Sequence, residues 1–355
     1  MWSLVAESFR VVAPGKLMLA GEYSVLGGAG QALALAVEPG IEVTYEPAAA
    51  WSLHRVDTEP GATEPGAWTP GQEIPSSLRF AHEAWKTVLA EVEVAPGRIT
   101  TRTLGATGTG DFKPGVGGSA SVTVAVVHAL LSASGASQAD SGSAKETTVR
   151  LALGAHHAAQ GGRGSGYDIA TIAHGGVVRW RPSRLATAGA IGHGAGASAE
   201  VAGMAWPDGL FVVAGYSGRS ADTRALLRRL EVRVAEDRAG EARRLMALGA
   251  PVPELADAFD AGSVPAILDA LQRCSAALES WDQIGVLVPE VREMLSLAAR
   301  HGAVGRVSGA GGGDSVLAFA ATEATVNAVT RSWSAEGYKT FPLKISRLGV
   351  FRKNN

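Results

Sequence analysis

Apolar runs along the chain are short and change period repeatedly. Residues 9–12 (FRVV) read as a strand that stops at Pro14-Gly15, and residues 31–46 alternate around Val37, Ile41, Val43 and Tyr45 as a second strand. Residues 76–92 place Leu78, Ala81, Ala84, Trp85, Val88 and Leu89 at helical spacing. A strand at 98–104, helices at 119–133 and 146–160, a helix from 168 to 174 and a strand at 176–180 follow. Beyond residue 200 the pattern predicts a strand at 210–214, helices over 221–248, 254–280 and 289–301, and strands at 316–321 and 343–351. Residues 57–73, 105–121 and 161–166, rich in glycine and in part proline, read as loops. The small-residue stretch 186–199 reads as a loop or linker. Strands and helices alternate without a strict βαβ period, so the expected class is α+β in two parts, divided near residue 200 into 1–200 and 201–355.

Charge and cysteine content narrow the function. A chain of 355 residues with 46% hydrophobic and 19% charged side chains can bury a large core. Basic residues number 32 against 34 acidic, a net charge of −2, which excludes a general nucleic-acid binder but allows a local basic pocket. The single cysteine, Cys274, excludes an internal disulfide and a cysteine-based zinc site and agrees with a reducing, cytoplasmic setting. Glu7 and Arg10 interrupt the N-terminal apolar segment, so no signal peptide is expected. Residues 114–139 carry no Asp, Glu, Lys or Arg, but glycines, hydroxyls and His128 break them up. They are read as a glycine-rich loop and a buried helix, not a membrane span.

Glycine is the anomaly: 45 residues of 355, about 13% against an ordinary ~7%, and they cluster. In APGKLMLAGEYSVLGG (13–28) a Pro-Gly turn delivers Lys16, either a phosphate-binding lysine or a surface lysine beside a turn. In DFKPGVGGSASVTVAVVHALL (111–131), Gly115, Gly117 and Gly118 allow close backbone approach, Ser119 and Ser121 add hydroxyls, and a helix start follows. Ser119 is open to two roles there, helix N-cap and ligand of a nucleotide-borne Mg²⁺. The chain has no GxxxxGK[ST] string, and although GVGGSA (115–120) spells a dinucleotide motif, no apolar strand leads into it. GGRGSGYDIATIAHGG (161–176) places Asp168 at a helix start, as an N-cap or as a carboxylate held at a pocket. In GRVSGAGGGDSVLAFAA (305–321) the glycine loop lies between strands, suited to lining a pocket built elsewhere.

In this order, over residues 11–321, the segments resemble the GHMP kinase superfamily (galacto-, homoserine, mevalonate and phosphomevalonate kinases). Tyr23 in GEYSVL, Lys113 before the phosphate loop, GSGYD (164–168), GYSGRSADT (215–223) and GAGGGD closing on Asp314 look like the phosphomevalonate kinase family. The chain departs from the pattern at Gly118, where a serine is usual, at Pro114, at Arg306 and at His157, which stands where mevalonate kinases place a metal-binding glutamate.

The resemblance implies an N-terminal ribosomal-protein-S5-like domain and a C-terminal ferredoxin-like α/β domain. It implies ATP and Mg²⁺ as cofactors and a small-molecule acceptor, (R)-5-phosphomevalonate, phosphorylated to 5-diphosphomevalonate. The alternatives are mevalonate kinase, another small-molecule GHMP kinase, a nucleotide-binding regulator without catalysis, or, outside the family, a dinucleotide-binding oxidoreductase. It implies Lys16 and Asp168 as catalytic residues, and Lys113, Gly115, Val116, Gly117, Gly118, Ser119, Ala120 and Ser121 around the ATP phosphates. Lys16, Lys113, Ser165, Gly166, Ser220, Gly311 and Gly312 are implied around the acceptor, with Arg163, Arg219 and Arg306 as further cations and Ser119 on the metal. A monomer or homodimer acting without nucleic acid or membrane completes the expectation.

Overall fold

The computed structural model describes residues 7–27, 30–56, 66–104, 116–135, 142–162, 164–182 and 199–353. The expected loops at 57–73, 105–121 and 186–199 therefore lie largely outside the described residues.

The first sheet has the order β13 (Phe351–Lys353), β1 (Phe9–Ala20), β2 (Ala32–Pro47), β5 (Gly97–Thr103), β3 (Ser52–Val56), β4 (Ala67–Trp68). The long β2 also pairs β6 (Val177–Pro182) and β12 (Lys344–Ile345), and β6 pairs β7 (Ala199–Met204). β1 does not stop at Pro14-Gly15. It continues to Ala20, and its register against β2 shifts at Ala13/Gly15 and again at Met18/Ala20. Proline lacks a ladder N–H, so a strand passes it only at such an irregularity.

One face of this sheet is covered by α1 (Arg79–Leu89), α2 (Gly118–Ala133), α3 (Gly142–Ala159) and α4 (Tyr167–His174). From Thr123 to Leu131 every residue of α2 is buried, which explains a charge-free stretch without a membrane. No helix among the described residues is long and apolar enough to cross a bilayer.

The second sheet is antiparallel, ordered β11 (Lys339–Pro342), β8 (Phe211–Tyr216), β10 (Ser315–Ala320), β9 (Val304–Val307). It packs with α5 (Thr223–Glu236), α8 (Val264–Trp281), α9 (Pro289–Arg300) and α10 (Glu323–Ala335), while α6 (Arg238–Gly249) and α7 (Val252–Asp260) complete the helical layer. A third core joins the sheets: Leu17, Leu19, Leu33 and Leu35 meet Leu255, Phe259 and Leu271, with Leu317 and Phe319 behind them. The last strands, β12 and β13, return to the first sheet, so the N-terminal layer contains the chain's end as well as its beginning.

Two expected helices are each broken. Asp237 ends α5 and caps α6, its carboxylate accepting the Gly240 N–H at 2.8 Å. Gly262, at φ 63°, and the N-cap Ser263 separate α7 from α8.

Candidate active site

The first and second glycine segments are joined by their backbones. The Lys16 N–H donates to the Val116 carbonyl at 2.8 Å, and the buried Ser121 hydroxyl donates to the Pro14 carbonyl at 2.8 Å. Gly117 sits at φ 80°, and a Cβ there would stand 2.8 Å from Lys16 Cε, so the lysine stem lies directly across this glycine. Lys16 Nζ donates to the Tyr167 hydroxyl at 3.4 Å and lies 5.5 Å from that ring's centre. Burial alone would lower the Lys16 pKa. The attraction of Tyr167, Asp168 and Asp314 outweighs it, and the net direction is upward from 10.5. The ammonium thus stays charged, with the Asp168 and Asp314 carboxylates both favouring the charged form.

The loop runs straight into α2. Its first helical bond is Ser121 N to Gly117 O, so the amides of residues 118–120 precede the helical ladder. Gly118 faces open space, with nothing within 4 Å of where a Cβ would stand. Gly117, not Ser119, is the N-cap, so Ser119 is not the capping serine the sequence allowed; it is the second residue of α2, half-buried. Ala120 points into the core, Val116 packs on the third core, and the Ser121 hydroxyl fixes the loop. These side chains build the loop. Lys113 and Gly115 lie outside the described residues.

Asp168 is likewise not the N-cap of α4. That place belongs to Gly166, at φ 84°, whose Cβ direction is filled by Leu153 and Trp180. Asp168 is the second helical residue: Oδ1 accepts the Ile169 N–H at 3.0 Å, and Oδ2 lies 3.9 Å from His156 Nδ1. Sequence reasoning passed over Tyr167 and His156, although each adjoins a residue it examined.

The third glycine loop is locked. Gly311 and Gly312 have φ of 67° and 75°, and the Gly312 amide is taken by the Val286 carbonyl at 2.7 Å. Tyr23 donates its hydroxyl to Ala310 O, and its ring lies tilted against Trp281 with centroids 4.9 Å apart. Asp314, at φ 53°, donates its N–H to Arg219 O at 2.7 Å and accepts the Ala221 N–H at 3.2 Å. Burial pushes its carboxyl pKa up, against the pull of the Ala221 amide and Lys16. Ser220, exposed, lies 3.3 Å from the Tyr216 hydroxyl, and Ser165 is a half-buried residue just before Gly166. Arg219 is exposed, and Arg163 lies outside the described residues.

Arg306 has a different role from the one the sequence suggested. Its guanidinium is buried, donates to both Glu22 carboxylate oxygens at 2.7 Å and to Leu19 O at 2.7 Å, and is thereby neutralised. It ties β9 to the end of β1 and is not available to a ligand.

With this geometry in place, the comparisons give the class. Residues 254–339 match the family described as GHMP kinases C terminal. A phosphomevalonate kinase of Streptomyces sp. (strain CL190) is 27% identical over 369 aligned residues, covering 95% of this chain and 97% of that protein. Residues 254–339 thus carry the GHMP kinase C-terminal family, and the likeness over the whole chain is to a phosphotransferase. Among solved structures, the Lin0012 protein of Listeria innocua superposes with a TM-score of 0.81 at 22% identity, covering 98% of this chain and 100% of that one. Streptococcus pneumoniae phosphomevalonate kinase, in complex with phosphomevalonate and AMPPNP, superposes with a TM-score of 0.72 at 19% identity, covering 95% and 99%.

Proposed function

We propose that this kinase phosphorylates the phosphate of (R)-5-phosphomevalonate, with ATP as donor, giving 5-diphosphomevalonate and ADP. The observation that carries the reading is Lys16: a charged ammonium whose stem lies over Gly117 of the glycine loop, attracted by Asp168 and Asp314. The full-length likeness to the Streptomyces phosphomevalonate kinase supports the acceptor.

Transfer between two phosphates asks for alignment and neutralisation of spreading charge more than for covalent help. The amides of residues 118–120, which precede the helical ladder, and the Ser119 hydroxyl would hold the donor's phosphates. Lys16 stabilises the group in transit and Asp168 orients Lys16. Asp168 Oδ1 accepts the Ile169 amide and its charge favours the Lys16 ammonium, which supports an orienting role. A phosphate acceptor with a second pKa near 6 is largely ionised at pH 7 and needs no base.

Among the described residues no three His, Cys, Asp or Glu side chains form a metal cluster. The oxygen donor at the loop is Ser119, which suits a hard cation carried by nucleotide phosphates. Ser119 would hold Mg²⁺ together with those phosphates, and the ion would supply further charge neutralisation.

The test is a coupled ADP-release assay with Mg·ATP, offering phosphomevalonate and mevalonate in parallel. Turnover with phosphomevalonate alone is expected. Turnover with mevalonate alone would retain the class and overturn the acceptor, and ADP release with neither would overturn both acceptors.

A further inference from the structure

The base of Lys16 is fixed by backbone. Its N–H is bonded to Val116 O, its stem crosses Gly117, and two residues on the Met18 N–H donates to Ser308 Oγ of the third glycine segment at 2.9 Å. This sets where the side chain starts but not where the ammonium ends, because a lysine carries its charge on a flexible four-carbon stem. Asp168 and Asp314 act on Nζ through charge alone. The one side chain bonded to it among the described residues is Tyr167, whose hydroxyl accepts at 3.4 Å.

The phenol is itself held in place. Gly166, at φ 84°, caps α4 so that Tyr167 is the helix's first residue, and Leu153 and Trp180 fill the space where a Cβ of residue 166 would stand. The Tyr167 ring packs on the cluster of Met18, Val25 and Trp180, and its carbonyl accepts the Thr171 hydroxyl at 2.7 Å. Burial raises the phenol's pKa from 10 against the pull of Lys16, so the oxygen is neutral at pH 7. A carboxylate in this place would bind the ammonium more strongly and cancel its charge, as Glu22 does to Arg306. A neutral oxygen directs Nζ and leaves its positive charge for an anion.

We infer that Tyr167 is a positioning residue: its neutral hydroxyl directs the Lys16 ammonium without neutralising it, so that the full charge acts on the transferred phosphoryl group. This role rests on the reading of Lys16 proposed above, and not on which acceptor the enzyme takes.

A double-mutant cycle separates such a role from packing. It compares Tyr167→Phe, which keeps the ring, with Lys16→Ala and with the double variant, reading kcat, the KM for each substrate and the melting temperature. Tyr167→Phe is expected to lower kcat about 10-fold, the low end for a lost bond to a charged group, with the KM for ATP and the melting temperature unchanged. In the Lys16→Ala background the same substitution is expected to change kcat less than about twofold. A second loss of about 10-fold there would show that Tyr167 acts independently of Lys16, through packing or through the substrate, and would overturn the inference. An unchanged kcat in Tyr167→Phe alone would overturn it as well. Proton–nitrogen spectra of the lysine ammonium groups give a readout without turnover. The Lys16 signal, assigned by its absence from Lys16→Ala, is expected to move or broaden in Tyr167→Phe. A signal that stays in place, or one lost to fast exchange in the wild-type protein too, would contradict a held ammonium. A wild-type kcat in Lys16→Ala would instead overturn the reading of Lys16 itself, and this inference with it.

Discussion

The loops at residues 116–121 and 309–314 look alike in sequence, each a run of small residues with glycine at its centre, yet the structure uses them in opposite ways. The first opens onto a helix start, with the amides of 118–120 ahead of the helical ladder and empty space beside Gly118. The second is closed from three sides, by Val286, by Arg219 and Ser220, and by the Tyr23 hydroxyl on Ala310. The same contrast separates the two cations these segments bring in. Lys16 donates to the Tyr167 hydroxyl and is attracted by two carboxylates, whereas Arg306 is fully paired with Glu22. Glycine content therefore marks where backbone comes close to something. What it comes close to, ligand or protein, depends on partners distant in sequence.

Substitutions on each side sharpen this contrast. The largest effect is expected at Arg306→Ala, which leaves the Glu22 carboxylate buried and uncompensated and should cost about 3–5 kcal/mol in a denaturant titration. Lys16→Ala should instead leave the melting transition in place and lower kcat by about 10²-fold or more, as expected for a lost preorganised charge. A near-wild-type kcat would remove Lys16 from the chemistry.

The glycines should then diverge. Gly311→Ala meets Val286 Cγ1 at 2.3 Å with φ at 67°, and should lose about 1–3 kcal/mol of stability. Gly118→Ala meets nothing and should leave stability equal or raise it by about 0.4–1 kcal/mol. The resembled family usually carries a serine at this position, so the KM for ATP should change little. Parallel behaviour of the two alanine variants would break the comparison.

Titration gives a smaller effect. The Lys16 pKa is raised above 10.5, so its stabilising contribution is complete below 10.5 and is lost only as pH climbs through the folded value. The kcat profile should therefore show no lysine limb below that pH, and should decline on the acid side near the acceptor phosphate's pKa of about 6. Smallest of all, burial pushes the Cys274 thiol up to about 11, so alkylating reagents at pH 8 should leave the folded protein unmodified and active.

The chemistry-bearing segments were legible because glycine, proline and charge act locally. Lys16 lies against residues 116–117 and within reach of the Asp168 charge, and the buried α2 explains the charge-free stretch. What escaped depends on contacts across the fold. Arg306 reads as a ligand cation until Glu22, 284 residues away in sequence, is seen to neutralise it. His156 stands beside His157, the residue weighed in its place, and only the packing of α3 against α2 and α4 turns it to the site. The breaks at Asp237 and at Gly262-Ser263 carried ordinary capping signals that the apolar periodicity on either side obscured. Helix α10 and strand β11 were missed because their apolar residues are sparse until Trp333 and Val329 pack on β8 and β10.

The central claim is that the acceptor is a phosphate, and phosphorus NMR of the reaction mixture tests it at the bond formed. With Mg·ATP and phosphomevalonate, the account expects the acceptor's monoester signal to give way to two mutually coupled diphosphate signals, distinct from those of ADP. A mixture in which the phosphomevalonate monoester persists unchanged, while mevalonate in a parallel tube gains a phosphomonoester, would contradict it.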